Sequence, residues 1–143
     1  MEKIHRSALV MHTAQQMYGL VDDIESYSLF VPNCKKAEVI NRQQDKVSAT
    51  LEISKSGIAK SFSTENSLTP HSSIKMTLLD GPFKHLSGEW QFTPLSEEAC
   101  KIELYIEFEF SNKLASMAFK KIFNQLIQSM VTAFTDRARD IHG

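Results

Sequence analysis

The stretch that decides the fold begins with CKIELYIEFEF, residues 100–110, in which apolar and polar side chains alternate. This two-residue period is typical of a β-strand with one buried and one solvated face. From about Asn112 the period becomes helical, and the apolar residues fall on one stripe. The stripe comprises Ala115, Phe119, Ile122, Phe123, Leu126, Ile127, Met130, Phe134 and Ile141. We therefore predict a strand followed by a helix that runs to about Asp140.

A helix of that length, about 43 Å at 1.5 Å per residue, needs a broad apolar surface to cover its stripe. The segment from residue 34 to residue 99 offers one, because strand-like alternation recurs there between turn signals such as Ser56-Gly57 and Asp80-Gly81-Pro82. Residues 58–68 are more polar, and we expect an edge or partly exposed strand there, with Phe62 as its main inward side chain.

The segment between the first strand, residues 3–11, and Pro32 is predicted to hold two short helices. Thr13 and Gln16 have the spacing of a capping box, and Gly19 with Asp22-Asp23 interrupts the helical run that follows. The order is then β-α-α, five or six antiparallel strands, and a long terminal helix. This order predicts one α+β domain over residues 1–143, with the helix on one face of the sheet.

Composition limits the classes of function. The 143 residues carry a net charge of −1, which speaks against a dedicated nucleic-acid binder but leaves a local basic patch open. Cys34 and Cys100 lie in apolar surroundings and are predicted to be buried free thiols in a reducing compartment. The sequence shows neither a signal-peptide pattern nor a run of about 20 apolar residues. We expect a cytoplasmic protein, with peripheral contact to the inner membrane left open.

Motifs for catalysis or metal binding are not found. There is no G-x-S-x-G sequence, no C-x-x-C or H-x-x-x-H pair and no glycine-rich phosphate loop, and the five histidines are scattered. We therefore predict no catalytic residue, no metal and no cofactor, and a protein that is not an enzyme, with a cyclase- or hydrolase-like enzyme as the last alternative.

Several stretches resemble the coenzyme Q-binding START-like family of the polyketide cyclase/START superfamily. They are GPFKHLSGEWQFTPL at residues 81–95, LVDDIESY at residues 20–27 with Phe30 to Pro32 and Cys34, Phe108 to Asn112 with Leu114, and Val131 to Ala138. Ser28 and Asn33 depart from the family pattern, which usually has proline and an aromatic residue there. The resemblance implies a helix-grip fold, in which a curved antiparallel sheet of about seven strands wraps round the C-terminal helix, and a lipid-accommodating cavity.

The same resemblance implies two functions. The eukaryotic branch binds ubiquinone in support of respiratory electron transport. The bacterial branch comprises toxin-like factors that bind the large ribosomal subunit and block subunit association. We expect ubiquinone or a similar polyprenyl lipid as the ligand, with the ribosomal function as the alternative.

The candidate ligand-binding residues are those expected to face the space between sheet and helix. They are Phe62, Met76, Trp90, Phe92, Phe108, Phe119, Phe123, Ile127, Met130, Phe134 and Arg137, with Tyr27, Phe30 and Pro32 at the cavity mouth. Phenylalanine and methionine suit a flexible apolar chain. Three alternatives stay open: these side chains fill a dry core, Trp90 is a core residue, and Arg137 only caps the helix end.

Candidate contacts to the ribosome are lysines, because phosphate recognition requires cations. They are Lys35, Lys36, Lys84, Lys120 and Lys121, together with Lys55 and Lys60. The alternative is that these lysines are simply solvated surface residues.

Overall fold

The computed structural model describes residues 1–112 and 115–143, so Leu114 of the family-like stretch lies outside the described residues. In chain order the elements are β1 (Glu2–Val10), α1 (Ala14–Asp22), a 3₁₀ helix (Ile24–Leu29), β2 (Cys34–Arg42), β3 (Lys46–Lys55), β4 (Ile58–Thr69), β5 (Ser73–Asp80), β6 (Phe83–Pro94), β7 (Cys100–Phe110) and α2 (Met117–His142). Among the described helices, none is long and apolar enough to cross a membrane.

The seven strands form one curved antiparallel sheet in the order β1-β7-β6-β5-β4-β3-β2. Helix α2 lies on one face of this sheet and contacts β1, β3, β4 and β7. Its inward stripe supplies the apolar cover that the strands need, from Phe119 to Ala138. The predicted α+β helix-grip architecture, with seven strands around the terminal helix, is confirmed.

The two short helices after β1 are also confirmed. The Thr13 hydroxyl accepts a hydrogen bond from the Gln16 backbone N–H at 3.0 Å, and the Gln16 side-chain oxygen accepts one from the Thr13 backbone N–H at 2.9 Å. These two bonds satisfy backbone donors that would otherwise lack partners at the start of α1.

Helix α2 begins later than the apolar stripe predicted, at Met117 instead of about Asn112. Ser116 has extended dihedral angles, and its hydroxyl accepts a hydrogen bond from the Phe119 backbone N–H at 3.0 Å. This N-cap sets the start of the helix. The 26 residues that follow span about 39 Å.

Strand β4 is an interior strand with several exposed side chains, so of the two alternatives for residues 58–68 the edge strand is wrong and the partly exposed strand is confirmed. It pairs with β3 on one side and β5 on the other, while β1 and β2 form the edges of the sheet. The β3–β4 turn has positive φ at Ser56 (53°) and Gly57 (83°), as a two-residue hairpin requires. Two polar residues of β4, Thr64 and Asn66, are buried.

Candidate functional site

A cavity of about 60 Å³ lies between the sheet and α2. Its walls come from β3 to β7, the 3₁₀ helix and the inward stripe of α2. About 10–15 Å³ suffices for one water molecule, whereas drug-sized ligands occupy pockets of about 300–1,000 Å³. The interior is therefore incompletely packed, but a quinone with a prenyl tail needs the walls to move apart.

The predicted ligand-binding residues divide into two sets. Phe62, Met76, Trp90, Phe123, Ile127 and Met130 line the cavity, as does Tyr27 from the predicted mouth. Seven others lie outside the lining: Phe92, Phe108, Phe119, Phe134, Arg137, Phe30 and Pro32. Contact with a ligand remains a prediction for the first set.

One aromatic cluster closes the cavity at the N-terminal end of α2. It contains Phe83, Phe108, Phe110, Phe119 and Phe123, whose neighbouring ring centroids lie 4.9–6.5 Å apart. Only Phe123 of this cluster reaches the cavity. Phe108 and Phe119 are fully buried among the other rings, and this packing is why they do not line it.

A second aromatic cluster closes the other end. The Phe134 ring lies 5.1 Å from Phe30, 5.2 Å from Tyr27 and 5.3 Å from Trp90, and Trp90 in turn stacks on Phe92. Phe134 and Phe92 therefore pack behind Trp90 and do not reach the cavity. Trp90 is both a core residue and a cavity wall.

Arg137 covers this second cluster from outside. Its guanidinium carbon lies 5.0 Å from the centroid of the Phe30 ring, which is a cation–π distance. Because this contact places the guanidinium over the outer ring and away from the lining, Arg137 is not positioned as a polar anchor inside the cavity. Phe30 packs against the Arg137 guanidinium and does not line the cavity.

Two polar side chains on β4 line the cavity and were not among the predicted residues. The Thr64 hydroxyl donates a hydrogen bond to Asn66 Oδ1 at 2.9 Å, and both residues are more than nine-tenths buried. This bond uses the amide oxygen of Asn66, and the amide nitrogen Nδ2 carries the two N–H donors of the same side chain. The cavity thus holds the Asn66 amide, beside the Thr64 hydroxyl, in a mainly apolar lining. Every second side chain of a strand faces the same side of the sheet, so Thr64 and Asn66 share the inward side with Phe62. This alternation in the sequence could have identified both residues.

Strands β5 and β6 separate beside Thr64 and Asn66, which leaves a gap in the sheet. Strands β5 and β6 pair from Ser73–Gln91 only as far as Thr77–Ser87, after which β5 follows β4 and β6 follows β7. The cavity-lining Gly88 lies next to this gap, and a Cβ there would meet the Tyr105 carbonyl oxygen at 2.9 Å. Glycine therefore permits the close approach of β6 to β7 at this point.

The cavity is poorly equipped for acid–base chemistry. Among its described lining residues, Tyr27 is the one titratable side chain. Burial, with a further contribution from Asp22, raises the pKa of Tyr27 far above its ordinary value, and its hydroxyl donates to the Val21 carbonyl. No cluster of metal-ligating side chains occurs among the described residues.

The two cysteines are buried free thiols, as predicted. Burial raises the pKa of both Cys34 and Cys100 to about 11. Thiolate is the nucleophilic form, so both side chains are poorly reactive near neutral pH.

The candidate ribosome-binding lysines differ in their surroundings. Lys35, Lys36 and Lys84 have carboxylates of Glu52, Glu38 and Glu109 at 3.9, 3.8 and 3.7 Å. Lys120 lies over the Phe110 ring, with its Nζ 5.7 Å from the centroid. For Lys55, Lys60 and Lys121, no carboxylate of the described residues lies within 4.0 Å of Nζ.

Comparison with protein families supports this description. The family described as polyketide cyclase/dehydrase and lipid transport matches residues 10–135. The ribosome association toxin RatA of Vibrio cholerae is 50% identical over 143 residues, covering 100% of this chain and 99% of that protein. The mitochondrial coenzyme Q-binding protein COQ10 homolog B of Xenopus laevis is 30% identical over 141 residues, covering 96% of this chain and 58% of that protein. The family resemblance seen in the sequence is confirmed.

A solved structure extends the comparison of folds. The aromatase/cyclase Zhui from a Streptomyces species superposes with a TM-score of 0.78 and 18% sequence identity, covering 94% of this chain and 89% of that one. Identity this low shows a shared fold alone. The curated relatives described above are named as a toxin and as a ligand-binding protein, and neither name describes an enzyme.

Proposed function

The chain belongs to the polyketide cyclase/dehydrase and lipid transport family, and we propose that it is a ribosome association toxin of the bacterial branch. In this proposal it binds the large ribosomal subunit in the cytoplasm, blocks subunit association and so inhibits translation, without catalysing a reaction. The observation that carries the proposal is the 50% identity, over the full length of both chains, to a protein of that name.

The charges on the surface are compatible with this proposal. The charges are unevenly distributed along the sequence, because segments 53–64 and 110–135 contain no acidic residue. Lys55 of the first segment donates a hydrogen bond to Gln125 on the outer side of α2. A ribosome presents mainly RNA phosphates, and these attract local cations whatever the total charge of the protein.

Sedimentation tests the proposal directly. Purified protein added to separated ribosomal subunits is expected to migrate with the large subunit and to lower the fraction of subunits that form complete ribosomes. The small subunit alone is the control and should carry none of the protein. If the profile of subunits and complete ribosomes is unchanged while the protein stays at the top of the gradient, the proposal fails.

The cavity favours a second function, the non-enzymatic binding of ubiquinone or a similar polyprenyl lipid, which would support respiratory electron transport. Its lining is apolar except for a few groups, of which Asn66 supplies an amide donor that suits a quinone carbonyl. Burial of each methylene-sized group contributes about 0.8 kcal/mol, so a partly enclosed tail is enough for micromolar binding.

Ligand entry in this second function requires the cavity to expand from about 60 Å³. The cavity can open most easily at the gap between β5 and β6, since no β5–β6 backbone hydrogen bonds beyond the pair Thr77–Ser87 have to break. Leu86, the residue just beyond the last β5–β6 pair, lines the cavity beside this gap. We place the entrance there instead of at the predicted mouth of Phe30 and Pro32. Peripheral contact with the inner membrane would follow from loading at that surface.

Extraction tests the second function. Mass spectrometry of the organic extract of purified protein should show one quinone or polyprenyl lipid per chain. A Phe62→Trp variant, which fills the cavity, serves as the control and should carry less. An extract of the folded wild-type protein without lipid, after purification from cells that make quinone, would contradict it.

A further inference from the structure

The outer side of α2 carries a set of cations that we call the basic ridge, defined by Arg6, Lys55, Lys60 and Lys121. Lys55 Nζ donates to Gln125 Oε1 at 3.3 Å, and Arg6 donates to Gln128 on the same exposed side of the helix. Lys121 lies one turn before Gln125. Cations from β3 and from β1 therefore flank the helix on its two sides.

Lys60 belongs to the ridge through the register of the β3–β4 hairpin. It pairs with Ile53, a buried residue on the sheet face towards α2. Lys55 lies two residues from Ile53 along β3, so Lys55 and Lys60 are diagonal neighbours on that same face. Both are exposed at the end of the hairpin.

Three of the four ridge cations, Lys55, Lys60 and Lys121, lie in segments of the sequence that contain no acidic residue. Neither segment 53–64 nor segment 110–135 contains Asp or Glu. The outer face of the sheet, by contrast, carries at least seven glutamates among the described residues: Glu38, Glu52, Glu65, Glu89, Glu103, Glu107 and Glu109. Lysines on that face lie beside carboxylates, as Lys46 does with Glu65 at 3.8 Å.

We propose that the basic ridge is the surface that contacts the ribosome, and that its partner there is the phosphate backbone of ribosomal RNA; this inference rests on the proposed function. Exposed lysines without neighbouring carboxylates keep their full attraction for phosphates. Gln125 and Gln128 add uncharged donors and acceptors between the cations. The paired lysines Lys35, Lys36 and Lys84 already face carboxylates and take no part.

Matched variants test the assignment. Lys55→Gln, Lys60→Gln and Lys121→Gln are combined in the ridge variant, and Lys35→Gln, Lys36→Gln and Lys84→Gln in the control variant. Both variants change the net charge equally, so a difference between them reports position and not total charge. Affinity for purified large subunits is measured across a range of salt concentrations, and thermal melting verifies that each variant folds.

The expected result is specific to the ridge variant. Its affinity should fall at least about tenfold, and the slope of log K against log salt should decrease by about 3, one for each lost phosphate contact. The control variant should bind like the wild type. If wild type binds and the two variants bind equally, the ridge assignment is overturned while the proposed function stands. If wild type does not bind, the proposed function fails and the assignment with it.

An anionic lipid surface is the competing partner for such a ridge. The same proteins are therefore mixed with vesicles of phosphatidylethanolamine and phosphatidylglycerol. Little vesicle binding by wild type supports the RNA assignment. Loss of vesicle binding in the ridge variant, with ribosome binding unchanged, would instead assign the ridge to membranes and overturn the proposal.

Discussion

The two faces of α2 have opposite chemistry along the same turns. The inward face presents nine buried residues, from Phe119 to Ala138, which close the fold and line the cavity. The outward face between Lys121 and Thr132 is exposed, acid-free and flanked by cations of the basic ridge. One helix thus combines the packing that stabilises the fold with the surface that we assign to a partner. Substitutions on one face should leave the property of the other face intact.

The largest expected effect is on the inward face. Phe134→Ala removes a ring that contacts Tyr27, Phe30 and Trp90, and this should lower the free energy of unfolding by about 3–5 kcal/mol. Urea denaturation measures it. Thr132→Ala, on the outward face of the same helix, is the control and should change that free energy by less than about 0.5 kcal/mol. Equal losses from the two substitutions would contradict the difference between the faces.

The second-largest expected effect is the salt dependence of ribosome affinity, which we assign to the outward face. If the four cations of the basic ridge each neutralise one phosphate, affinity for the large subunit should fall about 50- to 150-fold between about 50 and 200 mM salt. Equilibrium binding of wild type at several salt concentrations measures the slope. The free energy of unfolding, determined at the same concentrations, should vary far less. An affinity insensitive to salt would exclude a phosphate contact.

A smaller effect is expected inside the cavity. Thr64→Val combined with Asn66→Leu removes both members of the polar pair, so no buried partner is left unsatisfied and stability should change little. Loss of one hydrogen bond to a quinone carbonyl, about 0.5–1.5 kcal/mol, should weaken quinone binding about 2- to 12-fold. Titration of tryptophan fluorescence with a short-chain quinone measures it. Met76→Leu, which conserves volume, should keep the wild-type affinity, and unchanged binding in the double variant would remove Asn66 as a ligand donor.

The smallest effect belongs to the outer face of the sheet. Hydrogen bonds from Tyr105 and His5 to the Glu103 carboxylate, at 2.7 and 3.0 Å, lower the pKa of Glu103 below its ordinary value of about 4.3. A lowered folded-state pKa contributes stability at neutral pH that is lost as pH falls through that pKa. Glu103→Gln should therefore be less stable than wild type near neutral pH. The difference in urea midpoint should shrink in acid, and a difference that grows in acid would contradict the assignment.

Sequence patterns predicted the fold to a large extent because two of its elements have strong periods. Strand β7 begins and ends at the predicted residues 100 and 110, since every second side chain is apolar. The start of α2 was predicted too early because the helical stripe alone does not reveal the N-cap at Ser116. For strand β4 the sequence left an edge strand and a partly exposed strand as alternatives, because the two-residue period does not show the order of strands in the sheet.

The candidate site was less predictable than the fold. Apolar residues facing the helix were correctly assigned to the interior, but sequence does not show which rings cover one another. Phe108 and Phe119 were therefore expected in the cavity, although other phenylalanines enclose them. Likewise, seven lysines were equivalent in the sequence, and only their positions relative to carboxylates separate Lys55, Lys60 and Lys121 from Lys35, Lys36 and Lys84.

The most direct test of the separation between the cavity and the basic ridge measures both ribosome binding and quinone binding in both variants. Ribosome affinity and quinone affinity are determined for the ridge variant and for the Thr64→Val, Asn66→Leu variant. We predict that the ridge variant binds the ribosome at least about tenfold more weakly and keeps its quinone affinity. The Thr64→Val, Asn66→Leu variant should bind quinone about 2- to 12-fold more weakly and keep its ribosome affinity. If either variant is weakened in both activities while it remains folded, the cavity and the basic ridge do not act separately and the account is wrong.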